Sequence, residues 1–214
     1  MPEHHFKPGT TYRAIDFGPD GPSSDRHLQD YEETLGIHRE DLRDRKILDL
    51  GSGLFESLGK DLEREGITTN VVSLNPDLAQ DSLLRSFRDP NSERSAVAAL
   101  AQQLPFKNES FDLVVGLESV TRYVDPGTHL GDAKKWASEI VRVLKYGGEA
   151  RLWPILEMDQ FVSGKPALDE LCASIEQLGA TTTLEAWQDD QDEKYKGYRL
   201  IIRKPKQEGT QEHK

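Results

Sequence analysis

The sequence predicts an α/β protein: an open, mostly parallel, doubly wound sheet that finishes in an antiparallel hairpin. Three observations point there. From Lys46 onward, short apolar runs alternate with stretches of helical period, the pattern of strands and covering helices in a parallel sheet. One run, FDLVVGL at 111–117, is almost continuously apolar, as a strand buried on both faces requires. The last two runs, TTTLEAW and YRLIIR, are joined only by the polar segment QDDQDEKYKG, which is too short for a crossover and so pairs them antiparallel.

The elements follow in order. The first 27 residues are rich in Pro, Gly, Ser and His and read as an irregular arm. Leu28, Tyr31, Leu35 and Leu42, set among charges, predict a helix over 28–42. KILDL (46–50) reads as a strand, FESLGKDLEREG (55–66) as a helix with Leu58 and Leu62 one turn apart, and TNVVSL (69–74) as a second buried strand. Asp77 stands where it can cap a helix carrying Leu78, Leu83, Leu84 and Phe87, which Pro90 would end. SAVAAL (95–100) is a short third strand, and FDLVVGL follows the turn-like PFKNES as the fourth. In LGDAKKWASEIVRVL (130–144) the apolar residues recur at three- and four-residue spacing, and the glycines of KYGG predict its stop. EARLWPI (149–155) is the next strand, Leu168, Leu171, Cys172, Ile175 and Leu178 mark another helix, and the hairpin closes the sheet. KPKQEGTQEHK (204–214) is too polar to pack and is expected to be disordered.

A chain of 214 residues suits one core with decorated ends. Lys and Arg total 27 against 38 Asp and Glu, a formal net charge of −11 that repels phosphate backbones and argues against a nucleic-acid partner. No apolar run approaches the roughly 20 residues of a membrane helix. The single cysteine, Cys172, permits no internal disulfide, and the N-terminus lacks an apolar secretory segment; both favour the cytoplasm. His4 and His5 have no companions at metal-ligand spacing, and the DDQDE run lacks the glycine and final glutamate of a calcium loop, so no metal is expected.

Ligands of open sheets bind beyond the carboxyl ends of the strands, near the point where strand order reverses. KILDLGSGLF runs a strand into such a position: Gly51 and Gly53 allow close approach of backbone to a ligand, and Asp49 can accept a hydrogen bond from an ammonium or fix the turn. A dinucleotide cradle would need a third glycine where Glu56 stands, and a carboxylate there opposes a pyrophosphate.

ILDLGSG, then VVSLNPD, then ALAQQLPFKNESFDLVV, then EIVRVLKYGG before a strand resembles the ordered motifs of class I S-adenosylmethionine-dependent methyltransferases. The similarity spans about 46 to 154, and the terminal hairpin extends it to about 203. It implies a Rossmann-like sheet of seven strands over 46–203, with an arm and helix (1–45) packing on it and a tail after it. It also implies S-adenosyl-L-methionine lying across the ends of the first four strands. Asp49, Gly51, Ser52 and Gly53 match the turn that embraces the amino-acid part of the cofactor. Asn75 matches the ribose position, Ala101 and Gln102 the loop against adenine, and Leu117 the strand end beside the transferred methyl. Three positions depart from the family pattern: Phe55 for a small residue, Asn75 for an acid that would hold ribose more strongly, and Leu100 for an acid on the adenine amine.

Glu118, Arg122 and Tyr123 follow the fourth strand, where this resemblance places substrate-facing groups; an ion pair and a packed tyrosine are the alternative. Trp153, with Pro154, lines the acceptor pocket or joins the core. His129 is a possible base or an exposed loop residue, and Tyr12 and Arg13 could close over the cofactor. The resulting expectation is methyl transfer to a small-molecule acceptor, a protein acceptor being the variant. A methyltransferase-like binding or regulatory protein that no longer catalyses transfer is the alternative from another class, and a nicotinamide oxidoreductase is disfavoured by the missing glycine.

Overall fold

The structure, a computed structural model, describes residues 17–18, 21–22, 26–53, 56–79, 95–120, 130–156, 164–188 and 196–207. Seven strands make one sheet: β1 (Lys46–Leu50), β2 (Asn70–Leu74), β3 (Ser95–Val97), β4 (Phe111–Leu117), β5 (Leu144–Leu156), β6 (Thr181–Gln188) and β7 (Lys196–Arg203). Their spatial order is β3-β2-β1-β4-β5-β7-β6. The first five run parallel, and β7 is antiparallel to both β5 and β6, so the expected closing hairpin is present. Order reverses between β1 and β4, which places their carboxyl ends at the switch point.

Side-chain alternation divides the core in two. Ile47, Val71, Leu113, Val115 and Leu117 pack beneath α1 (Leu28–Leu35) and α2 (Ser57–Arg64). Leu48, Leu50, Val72, Leu74 and Val114 belong to the other cluster, with residues of α3 (Leu130–Val143) and α4 (Gly164–Gln177). Helix α1 is fastened to the sheet through its C-terminal carbonyls, which have no partner inside a helix. Arg151 on β5 donates to Leu35 O (3.0 Å) and Gly36 O (2.6 Å), and Arg199 on β7 donates to Thr34 O (2.8 Å).

Several boundaries depart from the sequence expectations. The helix predicted over 28–42 ends at Leu35, because Gly36 turns left-handed (φ +60°) and returns its amide to Glu32 O; a 3-10 turn, Arg39–Leu42, follows. Helix α2 starts at Ser57, just after Glu56 at φ +53°. Pro76–Ala79 is a 3-10 turn, and the rest of the helix expected to Pro90 lies outside the described residues. The third strand is only Ser95–Val97. Helix α3 stops before the glycines, and β5 begins at Leu144 rather than Glu149, with Gly147 (φ +80°) inside an irregular register against β4. Lys204, in the expected tail, donates to Leu144 O (2.9 Å), while residues from 208 onward lie outside the described set.

Candidate functional site

Asp49, one residue before the end of β1, is completely buried on the α1–α2 face of the sheet. The Tyr31 hydroxyl donates to its Oδ1 at 2.9 Å, whereas Oδ2 is buried with no hydrogen-bond partner among the described residues. Burial pushes this acid up to about 7; the Tyr31 bond pulls it back down, and the Glu56 carboxylate pushes it up again. Glu56 is itself buried. Ser73, paired in register with Asp49 on β2, is a second buried polar side chain whose hydroxyl has no partner among the described residues. Such orphaned atoms carry a desolvation cost until something pairs with them.

The turn after β1 is tied to the end of β2. Gly51 N (2.8 Å) and Ser52 N (3.2 Å) both donate to Leu74 O, and Asn75 Nδ2 donates to Gly53 O at 3.1 Å. Ser52 and Asn75 are buried. Gly51 sits at φ +72°, and a Cβ there would stand 2.5 Å from Ser119 Cβ, so only glycine lets the segment after β4 cross this close.

Beyond β3, Ala101 is buried and Gln102 half-buried, while Leu100 is 57 % exposed. Helix α3 holds this loop. Arg142 donates to Leu104 O (2.9 Å), Phe106 O (2.7 Å) and Asn108 Oδ1 (3.0 Å), and Glu139 accepts from Leu104 N (2.7 Å). At the end of β4 Leu117 is buried, and Glu118 (φ +48°) donates its amide to Trp153 O at 2.7 Å. The Glu118 carboxylate pairs with Arg26 at 2.7 Å, so the ion-pair alternative is present here. Trp153 packs half-buried against the core under α1 and α2.

The carboxyl edge of β1, β2, β4 and β5 therefore gathers Asp49, Gly51, Ser52, Gly53, Asn75, Leu117, Glu118 and Trp153, with Ala101 and Gln102 following β3. Phe55, Arg122, Tyr123, His129, Tyr12, Arg13, His4 and His5 lie outside the described residues. Sequence reasoning missed Tyr31 as a polar partner, Ser119, Arg26 and Arg142. Nothing in a linear pattern pairs residues 18 or more positions apart, as Tyr31 and Asp49 are. A hollow of about 430 Å³ opens at the opposite edge between Asp44, Arg45, Asp112, Tyr146, Glu149 and Arg203. It lies at the amino-terminal ends of β1 and β4, a strand's length from the glycine turn, with cations and carboxylates intermixed.

Residues 48–152 match the family model described as "Methyltransferase domain". That segment, just under half of the chain, is similar to a methyltransferase domain. No curated protein sequence matches the chain. Among solved structures the chain is similar to a SAM-dependent methyltransferase from Methanosarcina mazei, with 16% identity and a TM-score of 0.57, covering 86% of this chain and 100% of that one. It is also similar to a chain in the Haloferax volcanii complex with the Trm112 methyltransferase activator (14% identity, TM-score 0.54, covering 85% and 89%). A third similar structure is the [4+2]-cyclase SpnF (14% identity, TM-score 0.52, covering 82% and 79%). At these identities the likeness is one of fold.

S-adenosyl-L-methionine is the cofactor of the methyltransferase family. The residues present would suit it, because Asp49 offers a buried carboxylate oxygen that nothing else among the described residues engages, an acceptor of the kind an ammonium needs. At the two positions that the resemblance assigns to ribose and adenine, the chain departs from the family pattern. Asn75 is engaged with the turn, and exposed Leu100 offers an apolar surface instead of an acid. Among the described residues no helix is long and apolar enough to cross a membrane, and no group of three His, Cys, Asp or Glu is arranged to hold a metal.

Proposed function

We propose that this domain transfers the sulfonium methyl of S-adenosylmethionine to a small-molecule acceptor. The observation that carries this is the buried Asp49, with one oxygen held by Tyr31 and the other unpartnered among the described residues, at the rim of β1 within a segment similar to a methyltransferase domain. Asp49 would take the ammonium, with Gly51, Ser52 and Gly53 leaving room for the amino-acid chain. Asn75 would stand at the ribose, and Ala101 and Gln102, beside exposed Leu100, at the adenine. Leu117, Glu118 and Trp153 are assigned to the methyl and acceptor side, together with Arg122 and Tyr123. The bound cofactor supplies a methyl group already activated by positive sulfur, so these residues chiefly bind, orient and exclude water. A small acceptor is favoured because Arg26 ties the segment before α1 to Glu118, and a polymeric substrate would have to displace it.

A second reading, a binding protein that has lost transfer, is supported by the turn's own bonding: Gly51 N, Ser52 N and Gly53 O are all engaged within the protein. Calorimetry separates the two. Methyl transfer requires that S-adenosylmethionine bind, read as heat or as a thermal shift, and Asp49→Ala should weaken that binding by about 1–3 kcal/mol through loss of a charged acceptor. Absence of both heat and thermal shift at millimolar cofactor supports the second reading.

A further inference from the structure

Helix α1 lies outside the segment 48–152, yet it delivers a side chain to the domain's buried acid. Tyr31 is 2% exposed, and its hydroxyl donates to Asp49 Oδ1. The helix is fixed at both ends. At its start, Leu28 N and His27 Nδ1 both lie 2.9 Å from Asp61 Oδ2 on α2, and Arg26 pairs with Glu118. At its end Arg151 and Arg199 hold the last carbonyls. The phenol is therefore set in place before any ligand arrives.

We propose that Tyr31 is a positioning residue for cofactor binding: it fixes Oδ1 of Asp49 and so reserves Oδ2 for the ammonium of an amino-acid-bearing nucleoside. The assignment rests on the rim of β1 being the cofactor site. Among the described residues two titratable groups act on Asp49, Tyr31 from α1 and Glu56 from the position before α2. Burial and Glu56 favour the neutral acid, and the Tyr31 donor favours the carboxylate. Removing the phenol therefore moves protonation of Asp49 to higher pH, and the loss of affinity for a cation should be concentrated on the acid side.

The test compares wild type with Tyr31→Phe by calorimetry from about pH 5.5 to about pH 8. Two probes are used: S-adenosylmethionine, and 5′-methylthioadenosine, which keeps the nucleoside and thioether but lacks the ammonium. The ligand's own amine titrates near 8 and cancels in the ratio between proteins. The expected result is an S-adenosylmethionine affinity lowered roughly tenfold by Tyr31→Phe near pH 6, with the two proteins converging as pH rises, and 5′-methylthioadenosine affinity unchanged. An equal loss at every pH, or an equal loss for both probes, overturns the assignment and leaves Tyr31 as packing. Should Tyr31→Phe fail to fold, 3-fluorotyrosine in place of tyrosine, a stronger donor of nearly the same size, decides: S-adenosylmethionine affinity at about pH 6 should rise with 5′-methylthioadenosine affinity unchanged, and an unaltered profile overturns the assignment. Binding of neither nucleoside to wild type overturns the cofactor site and this assignment with it.

Discussion

Asp49 is held under opposed influences. Its surroundings take it out of water, which favours the acid, while the Tyr31 hydroxyl favours the carboxylate. Because its folded value rises from the ordinary 3.8 to about 7, the folded chain holds this proton more tightly than the unfolded chain. The resulting stabilisation is complete below the unfolded value and disappears as pH climbs through the window to about 7. Its full size is on the order of 4 kcal/mol, taking about 1.4 kcal/mol per unit. An amide at this position can still accept from Tyr31 but does not titrate. The thermal midpoint of Asp49→Asn, measured without ligand, should therefore gain on that of wild type as pH is raised across the window. Parallel curves would show that Asp49 does not change charge there.

The turn after β1 and the loop after β3 are both tied by side chains from neighbouring elements. Asn75 donates to Gly53 O, a bond that an amide can make and a carboxylate cannot. The family pattern makes an acid the better ribose partner, but here Asn75→Asp sets a carboxylate against a carbonyl. It should lower stability by about 1–3 kcal/mol in denaturant unfolding. An unchanged midpoint would show that the turn does not depend on this bond. Arg142 plays the same part for the loop after β3, donating to the carbonyls of Leu104 and Phe106. Its pairing with Glu139 holds the Arg142 guanidinium above its usual range and the Glu139 carboxyl below its own. Arg142→Ala should cost about 2–4 kcal/mol, since it orphans those carbonyls and strips Glu139 of its cationic partner. If Ala101 and Gln102 face adenine, the variant also weakens 5′-methylthioadenosine binding, which calorimetry reads directly.

The whole molecule depends on the segment before β1. Leu28, Tyr31, Leu35, Ile37 and Leu42 are each no more than 5% exposed and close one face of the sheet. At about 1.5–3 kcal/mol per buried side chain, these five contribute roughly 8–15 kcal/mol. That is comparable to the entire stability of a typical domain, about 5–15 kcal/mol. A chain beginning at Lys46 should therefore be poorly folded, with weak near-UV dichroism and strong binding of a hydrophobic dye. A truncated chain with a cooperative melt near that of the full chain would show that α1 is an accessory. The segment was visible in the sequence as a short run of helical period, but its dependence on arginines from β5 and β7 was not, because those contacts join residues more than 100 positions apart.

Periodicity and turn chemistry were enough to define the strands, their mainly parallel order and the closing hairpin, since each depends on neighbours within a few residues. They also located Asp49, Gly51 and Gly53 at a strand end, where local composition shows what the backbone must do. Element ends were less legible: Gly36 cuts α1 short, and the glycines expected to stop α3 lie inside β5. The roles of the site residues come from assembly. Asn75 clamps the turn, Glu118 meets Arg26, and Tyr31 reaches Asp49, because sheet order and helix packing bring distant side chains within hydrogen-bond distance in a water-poor interior, where each polar atom must find a partner or remain costly.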